Sequence, residues 1–319
     1  MSKNRKLPRL VMVTPALAAA NNGNWQTARR WARFLRGHAQ VTVTMQWDGQ
    51  PYDAMIALHA RRSADSLSAF ANSGRPTALI LTGTDLYRDI RSDPQAQRSL
   101  QLATYLVVLQ PAGRGELTTA LQLKTRVIYQ SAPAISRKPA RQRTWDLAMV
   151  GHLRQEKDPL TAVRALSRLS EPSYRLLQIG DDKDATTGMA FTQLAQMDSR
   201  VVRLGALPHA QTRQWISRSR LLLLPSLMEG GANVLIEAVT SEVPVLASRI
   251  SGSIGMLGEA YPGYFPVGDD AALAALIRRC RDEPAFLHQL NRHCSHRAAL
   301  FEPRHEAAAV RLLVAELLH

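Results

Sequence analysis

Two glutamates eight positions apart, Glu229 and Glu237, bracket a glycine pair, Gly230–Gly231, in the stretch "PSLMEGGANVLIEAV". Glycines let a ligand approach the backbone closely, and a helix that begins just after them offers free N–H groups to an anion. A diphosphate suits that position. Glu237 lies four residues after Asn233, on the same helical face, and can point toward the same ligand. A carboxylate accepts hydrogen bonds from paired sugar hydroxyls, and Glu229 at the loop's tip is placed to hold a second sugar. The stretch reads as a nucleotide-sugar site.

Such a site needs a strand behind it, and "RLLLLPS" directly precedes it. Open α/β sheets bind ligands at the carboxyl ends of their strands. Short apolar strands alternate with helical stretches along the whole chain. "RLVMVT" leads to a helix "WQTARRWARFLRG" capped by Asn22–Gly23–Asn24; "VTVTMQW", "YDAMIALH", "PTALILTG", "YLVVLQ" and "RVIYQS" are further strands. "APAISRKPARQRTW" is rich in proline and charge, has no period, and reads as a linker. The alternation then restarts with "DLAMVGHL", "YRLLQIG", "RVVRLGAL", "RLLLLPS" and "VPVLAS". At 319 residues the chain fits about two domains. The expected fold is α/β: two doubly wound, Rossmann-like domains facing a cleft. The boundaries are 1–135 and 136–302, with a last helix at about 303–319 crossing back to the first domain.

The net charge is +14, drawn from 40 Lys and Arg against 26 Asp and Glu, and it attracts anionic partners. The arginines are scattered, and no basic stripe interleaves with aromatics, so a nucleic-acid partner is not expected. The opening "MSKNRKLPRLVMVTPALAAA" has the shape of a signal peptide, but it also reads as a first strand followed by a loop, and Pro15 interrupts the apolar run. No apolar run is long enough to cross a membrane. Cys280 and Cys294 lack metal-type spacing and fit spare thiols of a reducing cytoplasm. "GDDKD", with Asp181, Asp182 and Asp184, reads as a turn after a strand, so no metal and no cofactor is expected.

Glu229 to Glu237 resembles the E-x7-E motif of retaining glycosyltransferases with the two-domain GT-B fold, of GT4-like type. In that family the second glutamate binds the nucleotide ribose and the first binds the donor sugar. The resemblance implies a donor site made by Glu229, Gly230, Gly231, Ala232, Asn233 and Glu237. "VGHLRQEKDP" is similar to the start of the family's second domain, where an arginine and a lysine neutralise the donor diphosphate. Lys157 matches the lysine. His152 stands where many members have arginine, and Arg154, two residues on, is the favoured replacement. The implied catalytic set is Lys157, Arg154 and Glu229.

Further stretches, among them "LTGTDLYRDI", "QSAP", "EAYPGYFPVGD" and "LFEPRHE", resemble the selenosugar synthase family of selenoneine biosynthesis, from about Val11 to Phe301. There a UDP-sugar, UDP-N-acetylglucosamine or UDP-glucose, meets selenophosphate. A carbon–selenium bond forms at the anomeric carbon, and UDP and phosphate leave. Coupling to a selenophosphate-producing enzyme would follow. A selenophosphate is a small, multiply charged anion with a strong nucleophile, and it needs a cationic cradle more than a general base. The first domain offers Gly23, Asn24, His59, Arg61, Thr84 and Asp85 as acceptor-binding candidates, with Gln110 a weaker one. His59 reads equally as a structural histidine, and Asp85 as a turn cap. Rival readings are a transferase of the same fold with a hydroxyl or sugar-phosphate acceptor, a UDP-sugar epimerase, and a basic nucleic-acid binder.

Overall fold

The computed structural model describes residues 6–18, 22–137 and 143–319. Two compact units form, one drawn from Met1–Gln130 with Pro303–His319 and the other from Ser131–Glu302.

In the first unit, β1 (Arg9–Val13), β2 (Gln40–Thr44), β3 (Ala54–Leu58), β4 (Thr77–Leu81), β5 (Tyr105–Val108) and β6 (Thr125–Val127) make a six-stranded sheet in the order β2-β1-β3-β4-β5-β6. Every pairing is parallel. A parallel sheet covered on both faces selects continuous apolar strands, and "AMIAL" and "TALIL" are buried end to end. Alternate side chains divide between two cores. Leu10, Met12, Ile56 and Ile80 pack with Trp31 and Phe34 on one face. Val11, Val13, Met55 and Leu79 pack with Phe70 on the other.

The last helix, Pro303–Leu317, completes the first face through Val310 and Leu313. Its Glu306 is 2 % exposed and accepts from Trp31 Nε1 and Arg30 Nε, both at 2.7 Å. A carboxylate at that depth requires partners of this kind, so the interaction specifies where the helix seats.

The second unit carries β7 (Trp145–Val150), β8 (Tyr174–Ile179), β9 (Val201–Gly205), β10 (Leu221–Leu224), β11 (Val245–Ser248) and β12 (Tyr264–Phe265), in the order β12-β11-β10-β7-β8-β9. Strand order reverses between β7 and β10, where Leu147 pairs with Leu221 and Ala148 with Leu222. The carboxyl ends of these two strands therefore lie side by side at the point where such sheets bind ligands.

One strand is shorter than expected, and two local features were not foreseen. The strand expected over "RVIYQS" stops at Val127, and Gln130 turns its amide onto Thr27 Oγ1 in the first helix. Tyr264–Phe265 is a strand of two residues between Pro262 and Pro266, too short to show a period. "DLYRD", Asp85–Asp89, winds as a wide π-type helical turn leading into Ile90–Ser92. The expected linker falls partly outside the described residues, at 138–142, as does part of the Ala-x-Ala stretch, at 19–21. Among the described residues, no helix is long and apolar enough to cross a membrane.

Candidate active site

The loop after β7 is held by the end of β8. The amide of Gly151 donates to Ile179 O at 2.9 Å, and that of Leu153 to Asp181 O at 2.8 Å. Gly180 has φ of +146°, and a Cβ there would lie 2.1 Å from Gly151 O, so only glycine lets the two strand ends meet this closely. His152 Nδ1 accepts the Asp181 amide at 3.1 Å, which leaves the neutral ring's proton on Nε2. Burial, with the Arg154 and Lys183 cations nearby, holds this imidazole below its ordinary pKa. His152 is therefore a neutral single donor, where an arginine would bring a charged fork. Arg154, two residues on, is partly exposed and lies 3.2 Å from Glu156 Oε1.

A turn of 3-10 helix, Gln155–Lys157, and a left-handed Asp158 at φ +41° bring the chain into the helix Pro159–Ser167. This turn aims Lys157 back at the loop that follows β10. Its Nζ donates to Glu229 Oε1 at 2.6 Å. Ser226 Oγ donates to the same oxygen at 2.7 Å, and the Leu227 amide ties the two loops through Glu156 O at 2.9 Å. Glu229 is 7 % exposed, so this ion pair is largely sheltered from water. Gly151, His152, Lys157, Leu224, Pro225 and Ser226 line a small pocket between the two strand ends.

After Glu229 come Gly230, Gly231 and a buried Ala232, which precedes the helix Asn233–Val239. Glu237, two-thirds of the way along that short helix, is 7 % exposed and bonds His209 Nε2 through Oε1 at 2.6 Å. His209 opens the neighbouring helix, His209–Arg218, directly after the loop that follows β9. Sequence reasoning missed both His209 and Ser226. Ser226 had a signal, three residues ahead of Glu229; His209 had none.

The turn residues Asp182 and Asp184 have other tasks. Asp182 pairs with Arg203 at 2.6 Å, and Asp184 caps the helix Ala185–Gln196 by accepting from Thr186 N and Thr187 Oγ1. Among the described residues, no three His, Cys, Asp or Glu side chains gather as metal ligands would.

The first unit's candidates gather at the carboxyl ends of β3 and β4. Asp85, wholly buried, accepts the amides of Ala60 at 2.9 Å, Thr82 at 2.9 Å and Gly83 at 2.8 Å. Its carboxylate shapes the loop and holds two strand ends together. His59 takes a left-handed backbone, φ +76°, which a residue with a side chain keeps only where its surroundings impose it. Its Nδ1 accepts the Arg62 amide at 3.4 Å, and Nε2 faces Thr84 Oγ1 at 3.1 Å. Burial lowers the His59 pKa, against the opposing pull of Asp85. Asp89, unforeseen, is 4 % exposed and stands 3.8 Å from His59 Nε2, 3.4 Å from Arg61 Nε and 3.0 Å from Arg88 Nε. Its position four residues beyond Asp85 on a helical turn was the available signal. Gly23 and Asn24 begin the first helix, Gly23–Phe34, behind an Asn22 cap. Gln110 is buried and spent on Tyr87 Oη and the Gly113 amide.

Residues 132–299 match the family model described as glycosyl transferases group 1. The 2-deoxystreptamine glucosyltransferase of Streptomyces kanamyceticus is 28 % identical over 142 residues, 44 % of this chain and 37 % of that protein. The match thus spans well under half of that relative's length. Among solved structures, sucrose-phosphate synthase from Thermosynechococcus elongatus superposes with a TM-score of 0.78 at 17 % identity, over 98 % of this chain and 99 % of that one. Anabaena Alr3699/HepE, solved in complex with UDP and glucose, gives 0.74 at 16 % identity over 98 % and 99 % of the two chains. At these identities the likeness carries the fold: the two six-stranded parallel sheets with helices are those of the GT-B type.

Proposed function

The chain belongs to the group 1 glycosyl transferases, and from that premise we propose that it transfers N-acetylglucosamine or glucose from a UDP-sugar to selenophosphate. A carbon–selenium bond forms at the anomeric carbon as the bond to the UDP oxygen breaks and UDP leaves; water then cleaves the selenium–phosphorus bond, and phosphate is released. One observation carries the donor half: Lys157, Glu229 and Ser226 meet at the strand reversal, beside a pocket lined by Lys157, Ser226 and His152. The Anabaena neighbour solved with UDP and glucose has the same fold, which supports a uridine nucleotide as the donor's carrier. The acceptor half rests on the chain-long sequence resemblance and on the Arg61 and Arg88 guanidiniums held by Asp89.

In this reading the diphosphate lies against the backbone of Gly230–Asn233 and the Lys157 ammonium, and Glu237 holds the ribose. As the sugar–oxygen bond breaks, negative charge grows on the leaving diphosphate. Lys157 and Arg154 offset that charge from fixed positions, and donors of this kind are worth roughly 3–4 kcal/mol each. His152 adds one neutral hydrogen bond. Glu229, sheltered beside Lys157, orients the donor sugar. The selenium atom is nucleophilic without help, so the acceptor needs binding and orientation more than deprotonation. With two cations at the diphosphate, the reading requires no metal. An enzyme that makes selenophosphate would be the functional partner.

The test is a matrix of UDP-N-acetylglucosamine and UDP-glucose against selenophosphate and hydroxyl acceptors, read by mass spectrometry. A selenosugar with matching UDP release supports the proposal. Turnover with a hydroxyl acceptor alone overturns the selenium acceptor and keeps the transferase. Conversion of donor without any acceptor makes the chain an epimerase.

A further inference from the structure

The geometry points to His209 as a positioning residue for the donor: it holds the Glu237 carboxylate in the orientation that meets the ribose hydroxyls of a uridine nucleotide. This rests on the reading that such a nucleotide binds at Glu237. A carboxylate 7 % exposed, on a helix of mostly apolar residues, needs hydrogen-bond partners there. His209 supplies the bond, Nε2 to Oε1 at 2.6 Å. Arg213 lies one turn further along the same helix and is 7 % exposed. Its Nη2 donates to the Pro133 carbonyl, so the direct bond to Glu237 is that of His209. His209 takes a lone pair of Oε1, and the remaining lone pairs are left for a ligand.

The His209 side chain is 43 % exposed. It is the accessible partner of the pair, at the sheet edge where ligands bind, so its loss need not disturb the core. A plain helix–helix tie would make the same contact. The two roles differ in which part of the nucleotide responds.

The experiment measures affinity for UDP and for 2′,3′-dideoxy-UDP by calorimetry, with wild type, His209→Ala and His209→Gln. Neither measurement needs an acceptor. Wild type should prefer UDP by about tenfold or more, the worth of hydrogen bonds to a charged group. His209→Ala should lose most of that preference, with dideoxy-UDP affinity kept within about twofold. Glutamine can still donate an N–H to the carboxylate and should restore part of the preference. Undiminished discrimination in His209→Ala overturns the inference. So does equal weakening for both ligands with no rescue by glutamine. Wild type that binds neither ligand removes the uridine-nucleotide reading itself, and the inference with it.

Discussion

Lys157 Nζ and Glu229 Oε1 stand 2.6 Å apart and join the loop after β7 to the loop after β10, on either side of the point where strand order reverses. Two loops far apart in sequence are fixed to each other by one charged hydrogen bond. The same bond stores a cation where the proposed leaving group must be neutralised.

Lys157→Met tests both roles. Glu229 would keep Ser226 alone as a partner, and a poorly paired, nearly buried carboxylate should cost about 1–2 kcal/mol of stability. Turnover should fall about a hundredfold, with the Michaelis constant for donor changed far less. Adding Glu229→Gln should recover stability without recovering turnover. Unaltered turnover in Lys157→Met would take this residue out of the mechanism.

Arg61 and Asp85 sit in one cluster and should behave oppositely. Arg61 is 42 % exposed at its side chain and makes a long contact, 3.4 Å, to Asp89. Arg61→Ala should fold normally and raise the Michaelis constant for the anionic acceptor about tenfold, leaving donor affinity unchanged. Asp85→Ala would orphan three amides and should lose about 2–4 kcal/mol before any kinetic effect can be read. Steady-state kinetics with thermal unfolding on both variants separates them. An Asp85→Ala protein as stable as wild type would contradict the bonding assigned to it.

Gly252 bears directly on the donor loop. A Cβ at this position would lie 1.9 Å from Glu229 O, a backbone atom that cannot swing aside. Gly252→Ala should therefore push the Glu229 loop from its place, lower the melting temperature and weaken UDP binding together. Calorimetry showing wild-type UDP affinity in this variant would mean that the loop's position does not matter to the ligand.

Acidification should destabilise the fold through His152 and His59, both held below the ordinary value of 6.5 chiefly by burial. Between the folded pKa and 6.5 the unfolded chain binds more protons than the folded one, so stability falls as pH drops through that window and is complete above it. Melting temperature should be flat above about pH 7 and decline as the pH falls below 6.5. His152→Asn, which keeps an acceptor for the Asp181 amide, should flatten part of the decline. An unchanged slope would mean that His152 titrates alike in both states.

Sequence alone reached the α/β class, the two doubly wound sheets and the return of the last helix, because each depends on local apolar periods repeated many times. β12 was missed because two residues between prolines show no period. Lys157, Glu229 and Glu237 stood out through their spacing to glycines and to helix starts, which are features of neighbouring residues.

What they touch was settled only by the fold. The Lys157–Glu229 bond closes a loop of 72 residues and the His209–Glu237 bond one of 28. Nothing local in either stretch names its partner. The strand order brings β7 beside β10, and that juxtaposition sets Lys157 against Glu229. The same holds for Asp85. Its residue type permits many partners, and the placing of β3 beside β4 supplied one by bringing the Ala60 amide within 2.9 Å. Side-chain chemistry is written residue by residue, but contact is a property of how distant strands are laid side by side.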